Sequence, residues 1–141
     1  MRRRDLLLAP FLLLAPRPVA AHSYALGPIE VGHPWARPSI TGAAAVFMAL
    51  GNTGKSSDRL IAAMSPIAEQ VFLRAEDGSE VEYYELLPRR PVALRPGGKY
   101  IGLRGVKGLL ALEDSFPMTL RFAAAGDMEV TVTVEDGPEG Y

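Results

Sequence analysis

The 141-residue sequence contains no cysteine. That excludes disulfides, thiolate metal sites and a cysteine nucleophile. Histidine is nearly as scarce, with His22 and His33 the only two. A Ser-His-Asp triad would have to use one of them, and neither sits in a nucleophile-elbow context. No phosphate loop or dinucleotide fingerprint is present. The expectation is therefore a protein that is not an enzyme. Charge of one sign is also missing. Fifteen Lys and Arg face 16 Asp and Glu, for a net charge of −1, so nothing global favours nucleic acid or an anionic membrane.

A basic and then apolar stretch lies at the start. Arg2, Arg3 and Arg4 precede an apolar run over 6–14, broken by Pro10, and Val19-Ala20-Ala21 supplies small residues for cleavage. This is the three-part pattern of an export leader and is too short to span a bilayer stably. Residues 1–21 are read as a cleaved signal peptide and 22–141 as one domain, with His22 as the mature N-terminus and no membrane span left. Arg3-Arg4-Asp5-Leu6-Leu7 also fits a twin-arginine signal, so the periplasm is reached by that route or by the general secretory one.

Long helical periodicity is absent after His22. Short apolar runs recur instead between turn residues, as in an all-β sandwich. Strands are expected over 29–31, 42–50, 59–64, 70–74, 80–86, 92–94, 100–103, 118–122 and 128–134. Asp77-Gly78 and Gly126-Asp127 supply turn signals. In the last strand Met128, Val130, Val132 and Val134 alternate with Glu129, Thr131, Thr133 and Glu135. That pattern places one face on a core and the other in water. Met48, Met64 and Met118 also fall in apolar strand patterns and read as core filling. Trp35, the only tryptophan, reads as a core anchor beside a His33-Pro34 packing corner.

Several ordered segments resemble one family: Gly32-His33-Pro34-Trp35-Ala36-Arg37, Leu50-Gly51-Asn52-Thr53-Gly54, Asp58-Arg59-Leu60, Val71-Phe72-Leu73-Arg74, Leu94-Arg95-Pro96-Gly97-Gly98 and Leu103-Arg104-Gly105-Val106-Lys107. Their order and spacing are similar to those of the periplasmic copper chaperones called PCu(A)C, over nearly all of the chain after His22. The resemblance implies a single cupredoxin-like or immunoglobulin-like Greek-key β-sandwich. It also implies Cu(I) carried towards the copper centres of respiratory oxidases, so an oxidase subunit or another copper-handling protein is the implied partner.

The family holds Cu(I) with a His after a Val-x-Leu strand, a Met from a Met-x-Met, and a His-x-Met after Pro-Gly-Gly. The matching positions here are Arg74, Tyr84, Tyr100 and Gly102. Arginine stays protonated and glycine has no side chain, whereas Cu(I) wants thioether and imidazole. No metal is expected at the family position, and copper enters only through the resemblance. One reading is a family member in copper handling with a degenerate Cu(I) site. The alternative is a metal-free periplasmic module that uses the Arg74–Tyr100 face to hold a protein or peptide. In that region Tyr83, Tyr84 and Tyr100 either form a binding patch or fill the vacated pocket together with an Arg74–Glu82 ion pair. His22 and His33 are the alternative metal ligands, because an imidazole and a free α-amine can both be neutral near pH 7.

Overall fold

The computed structural model describes residues 17–18 and 23–137. Within them every regular element is a strand: β1 (Arg17–Pro18), β2 (Ser23–Leu26), β3 (Ile29–Ala36), β4 (Ala43–Asn52), β5 (Asp58–Met64), β6 (Ala68–Arg74), β7 (Glu80–Val81), β8 (Tyr84–Leu86), β9 (Val92–Leu94), β10 (Tyr100–Val106), β11 (Ser115–Phe122) and β12 (Gly126–Val134). The rest of the expected leader and His22 lie outside the described residues. The backbone of β1 pairs with Tyr24 and Ala25 of β2.

The strands follow one hydrogen-bonded path, β7-β6-β10-β4-β3-β12-β11-β5-β8, with β2 on β3 and β9 on β4. Among the described residues only β3 and β12 pair in parallel, through Trp35–Thr133 and Ala36–Val134. The sheet folds over on itself there, and its two halves close on one core. Ile29, Val31, Val46, Leu50, Leu73, Ile101 and Leu103 come from one half, and Leu60, Leu86, Met118, Leu120, Phe122, Met128, Val130 and Val132 from the other. The all-β, cupredoxin-like expectation holds. The alternation of β12 holds as well, with Met128, Val130, Val132 and Val134 all buried.

The family-like motifs act as staples in this fold. Asn52 is buried, and its Nδ2 donates to the carbonyls of Ser56 and Leu86, each at 2.9 Å. Its Oδ1 accepts from the Gly54 N–H. Asp58 is also buried. Its Oδ1 accepts from the Ala124 N–H at 2.7 Å and its Oδ2 from the Ala125 N–H at 3.0 Å. That bond set moves the last hairpin turn. It falls on 123–125, and Gly126, at φ +97°, opens β12 opposite Phe122 instead of forming the turn.

Three other expectations change. The single strand over 80–86 is two strands, because β7 completes a hairpin with β6 while β8 crosses to pair with β5. Ser23–Leu26 is an additional strand on β3. Met64, at the end of β5, is 36% exposed rather than core, while Met48, Met118 and Met128 are buried. Trp35 is 1% exposed and packs on Phe47 with ring centroids 4.8 Å apart.

Candidate functional site

β6 and β10 pair so that Arg74 lies opposite Tyr100, Phe72 opposite Gly102, and Gln70 opposite Arg104. Leu73, Ile101 and Leu103 are buried in the core. Alternation therefore puts these six residues together on the outer face. The register brings Arg74, Tyr100 and Gly102 to one place, as the resemblance requires. Tyr84 joins them from β8, inserted from the opposite half of the sheet.

Tyr84 is 4% exposed. Its hydroxyl accepts from the Arg74 N–H at 3.1 Å. Its own proton lies between two carbonyl oxygens, Arg74 at 2.6 Å and Tyr100 at 2.7 Å. One phenol thus ties together the backbones of Arg74 and Tyr100, the terminal pair of the β6–β10 ladder. Burial pushes its pKa up to about 12, and the backbone bonds to Arg74 and Tyr100 only partly offset that rise.

Gly102 is buried although it faces outward. The reason is Phe72. A Cβ built on Gly102 would lie 2.4 Å from Phe72 Cε2 and 2.6 Å from Cζ. The Phe72 ring fills the space a methionine side chain would need. Two guanidiniums flank that ring, with the Arg74 and Arg104 carbons 4.7 and 4.3 Å from its centroid. Arg104 also donates to Gln70 Oε1 at 2.9 Å.

The Arg74–Glu82 ion pair is not what forms. Arg74 Nη1 donates to the Gly78 carbonyl inside the β6–β7 turn, and its Nε is buried without a hydrogen-bond partner among the described residues. Tyr83 turns away from the cluster. It is 40% exposed, with the Arg59 guanidinium 4.2 Å from its ring centroid. An open groove of about 480 Å³, lined in part by Met64, Gln70, Phe72, Glu80 and Arg104, runs beside this face.

The four family positions thus present a guanidinium, two phenols and a covered glycine. None is a soft donor, and the Tyr84 oxygen is already committed to backbone groups. These side chains do not fit Cu(I) chemistry. His33 lies elsewhere, in β3, with Nε2 3.1 Å from Glu135 Oε1. Phe72 and Arg104 were not singled out by residue type. The signal that could have found them is the period of two that puts 72 beside 74 and 104 beside 102.

Comparison with known proteins names this arrangement. A family model described as "Putative lipoprotein LpqE-like" matches residues 29–134. The chain belongs to the LpqE-like family. A curated member-like relative, "Putative lipoprotein Lxx21020" of Leifsonia xyli subsp. xyli, is 27% identical over 116 residues, covering 77% of this chain and 70% of the relative. Among solved structures, the "Copper-bound PCuAC domain from PmoF2" superposes with a TM-score of 0.76 at 29% identity, over 82% of this chain and 99% of that one. The apo PCuAC domain from PmoF1 gives 0.76 at 26%, over 82% of this chain and 100% of that one. The Cu(I) form of a protein from Deinococcus radiodurans shares the fold at 22% identity and a TM-score of 0.66, over 87% of each chain. This LpqE-like chain is a PCuAC-type β-fold protein, as its motif order implied.

Proposed function

We propose that this LpqE-like protein acts in copper handling outside the cytoplasm without carrying Cu(I) at the position its copper-bound relatives occupy. The observation that carries the reading is the Phe72 ring over Gly102, 2.4 Å from where a Cβ would be. Arg74 adds to it, since a fixed positive charge at that rim repels a cation in a partly desolvated place. The lipoprotein name of the relative from Leifsonia xyli and the leader pattern support export to the periplasm, by the twin-arginine or the general secretory route. The role is non-catalytic. The protein assists assembly of a copper enzyme, such as a respiratory oxidase, by contact with an oxidase subunit or another copper-handling protein.

The test is a competition titration of processed protein against a Cu(I) chelator at equal concentrations. The chelator should retain the metal. Tight one-to-one transfer to the protein that survives loss of both histidines would refute the reading.

A second reading is favoured by one feature, the clamping of half-buried Phe72 between Arg74 and Arg104 beside an open groove. Arg and aromatic residues are enriched at the centres of protein interfaces. In that reading the face holds a protein or peptide and copper is irrelevant. Deleting the gene separates the two. Unchanged oxidase copper content in the deletion strain would remove the first reading and leave the second.

A further inference from the structure

β6 is covered along only part of one side. Its β10 side is paired from Ala68 to Arg74. On the other side β7 pairs only with Leu73 and Arg74, because the chain leaves after Val81 and crosses to β5 as β8. Among the described residues, Ala68–Phe72 therefore have no partner strand on that side. The direction of their backbone groups follows from alternation. The Ala75 N–H donates to the Ser79 carbonyl at 2.8 Å on the β7 side, whereas both backbone groups of Arg74 meet the Tyr84 hydroxyl beside Tyr100. Successive residues of an antiparallel strand turn N–H and C=O to opposite sides. Leu73 thus serves β7, and Val71 and Glu69 turn theirs to the uncovered side.

The same gap has a second wall. β8 accompanies β5 only as far as Leu60, so Ala62–Met64 pair with β11 alone. The groove of about 480 Å³ lies between, with Ala63, Met64 and Ser65 on one side and Ala68 to Phe72 on the other. An uncovered edge is a template for another strand, and proteins commonly blunt such edges with proline or lysine. Residues 68–72 contain neither.

We propose that this slot receives an extended segment of a partner protein, which adds a strand to β6 through the backbone of Glu69 and Val71 and carries an acidic residue opposite Gln70. The proposal rests on the second reading above and names what the face holds. In strand addition the main-chain bonds supply affinity and alternate side chains supply specificity. Ligand residues opposite Glu69 and Val71 turn inward towards Ala63 and Met64, which suits short apolar side chains. The residue opposite Gln70 turns outward beside Arg104. That guanidinium uses one donor on Gln70 and has others left for a carboxylate. Glu80 stands across from Arg74, at the closed end of the slot, so the acidic position is the one beside Arg104. A second copy of this chain, paired edge to edge, would instead bring two Arg74–Arg104 sets together, and like charges facing across strands destabilise.

The test is an NMR titration of the processed protein with a capped synthetic peptide, Thr-Val-Glu-Val-Thr, and with Thr-Val-Lys-Val-Thr as its counterpart. In the free protein the Glu69 and Val71 amides should exchange quickly with solvent. The Glu peptide should bind and protect both. Methylating the backbone nitrogens of its two valines, which leaves the side chains in place, should abolish that protection. Arg104→Glu should weaken the Glu peptide about tenfold or more, as loss of a charge-assisted bond does, and should favour the Lys peptide. Val71→Pro removes one edge N–H outside the β10 ladder and should weaken binding by about the same factor, with a thermal melt to check that the variant folds. Protection of Glu69 and Val71 in the free protein, failure of the Glu peptide to bind, undiminished binding of its methylated form, or a dimer lost in Val71→Pro would each overturn the proposal. Binding that moves Phe72 and Arg74 but leaves the two edge amides exchanging freely would overturn strand addition and keep the second reading.

Discussion

The ring of Phe72 lies across Gly102, on the neighbouring strand, at a distance that leaves no room for a Cβ. The two residues are directly paired in the β6–β10 ladder. Absence of a side chain at 102 and presence of a ring at 72 are thus one feature. Loss of a ligand position and closure of the space above it are the same structural event.

Gly102→Ala should push Phe72 from between its two guanidiniums and cost about 1–3 kcal/mol, the usual range for overpacking. In a Phe72→Ala background the same change should be neutral or stabilising, because alanine suits a strand better than glycine. Chemical denaturation of the four proteins measures this coupling. Equal effects in both backgrounds would mean that the ring does not rest on Gly102. The same steric block predicts that Tyr100→His with Gly102→Met restores little Cu(I) binding unless Phe72 is also made small.

Tyr84→Phe should cost about 1–2 kcal/mol near neutral pH, since it removes the partner of the Arg74 N–H and of a carbonyl. The pH dependence has a definite sign. The folded pKa of about 12 lies above the ordinary 10.0. Between those values the unfolded chain has lost the proton that the folded chain keeps, so stability falls as pH rises. The contribution is complete below pH 10 and lost through pH 12. The wild-type advantage over Tyr84→Phe, followed by urea unfolding at pH 8, 10 and 11.5, should shrink at the highest value. A constant difference would contradict the buried phenol.

Asp58→Ala should destabilise by about 1–3 kcal/mol, because it strands the Ala124 and Ala125 N–H groups. Asp58→Asn keeps one acceptor oxygen and should cost less. Hydrogen exchange at Ala124 and Ala125 should speed up selectively in Asp58→Ala. Unchanged protection there would show that the turn over 123–125 holds itself.

Trp35→Ala should cost about 3–5 kcal/mol, the range for removing a fully buried large ring. A thermal melt checks it, and a loss below about 1 kcal/mol would remove Trp35 from the core.

The sequence alone was enough for the class of fold. Strand alternation such as Met128, Val130, Val132 and Val134 is a local property with a period of two, so it shows without knowing what packs on it. The order of short motifs was enough for the family, and the identities at 74, 84, 100 and 102 were enough to show that soft donors are missing there. Tertiary structure decided the rest. Phe72 covers Gly102 only because a particular register sets β6 against β10. Tyr84 reaches the backbone of Arg74 and Tyr100 only because the chain breaks at 82–83 and crosses to the other half of the sheet. Met64 reads as core by pattern but ends a strand at the rim. His33 meets Glu135 across 102 positions of chain. Such contacts depend on register and closure, which are set by the whole core at once and leave no local periodic trace.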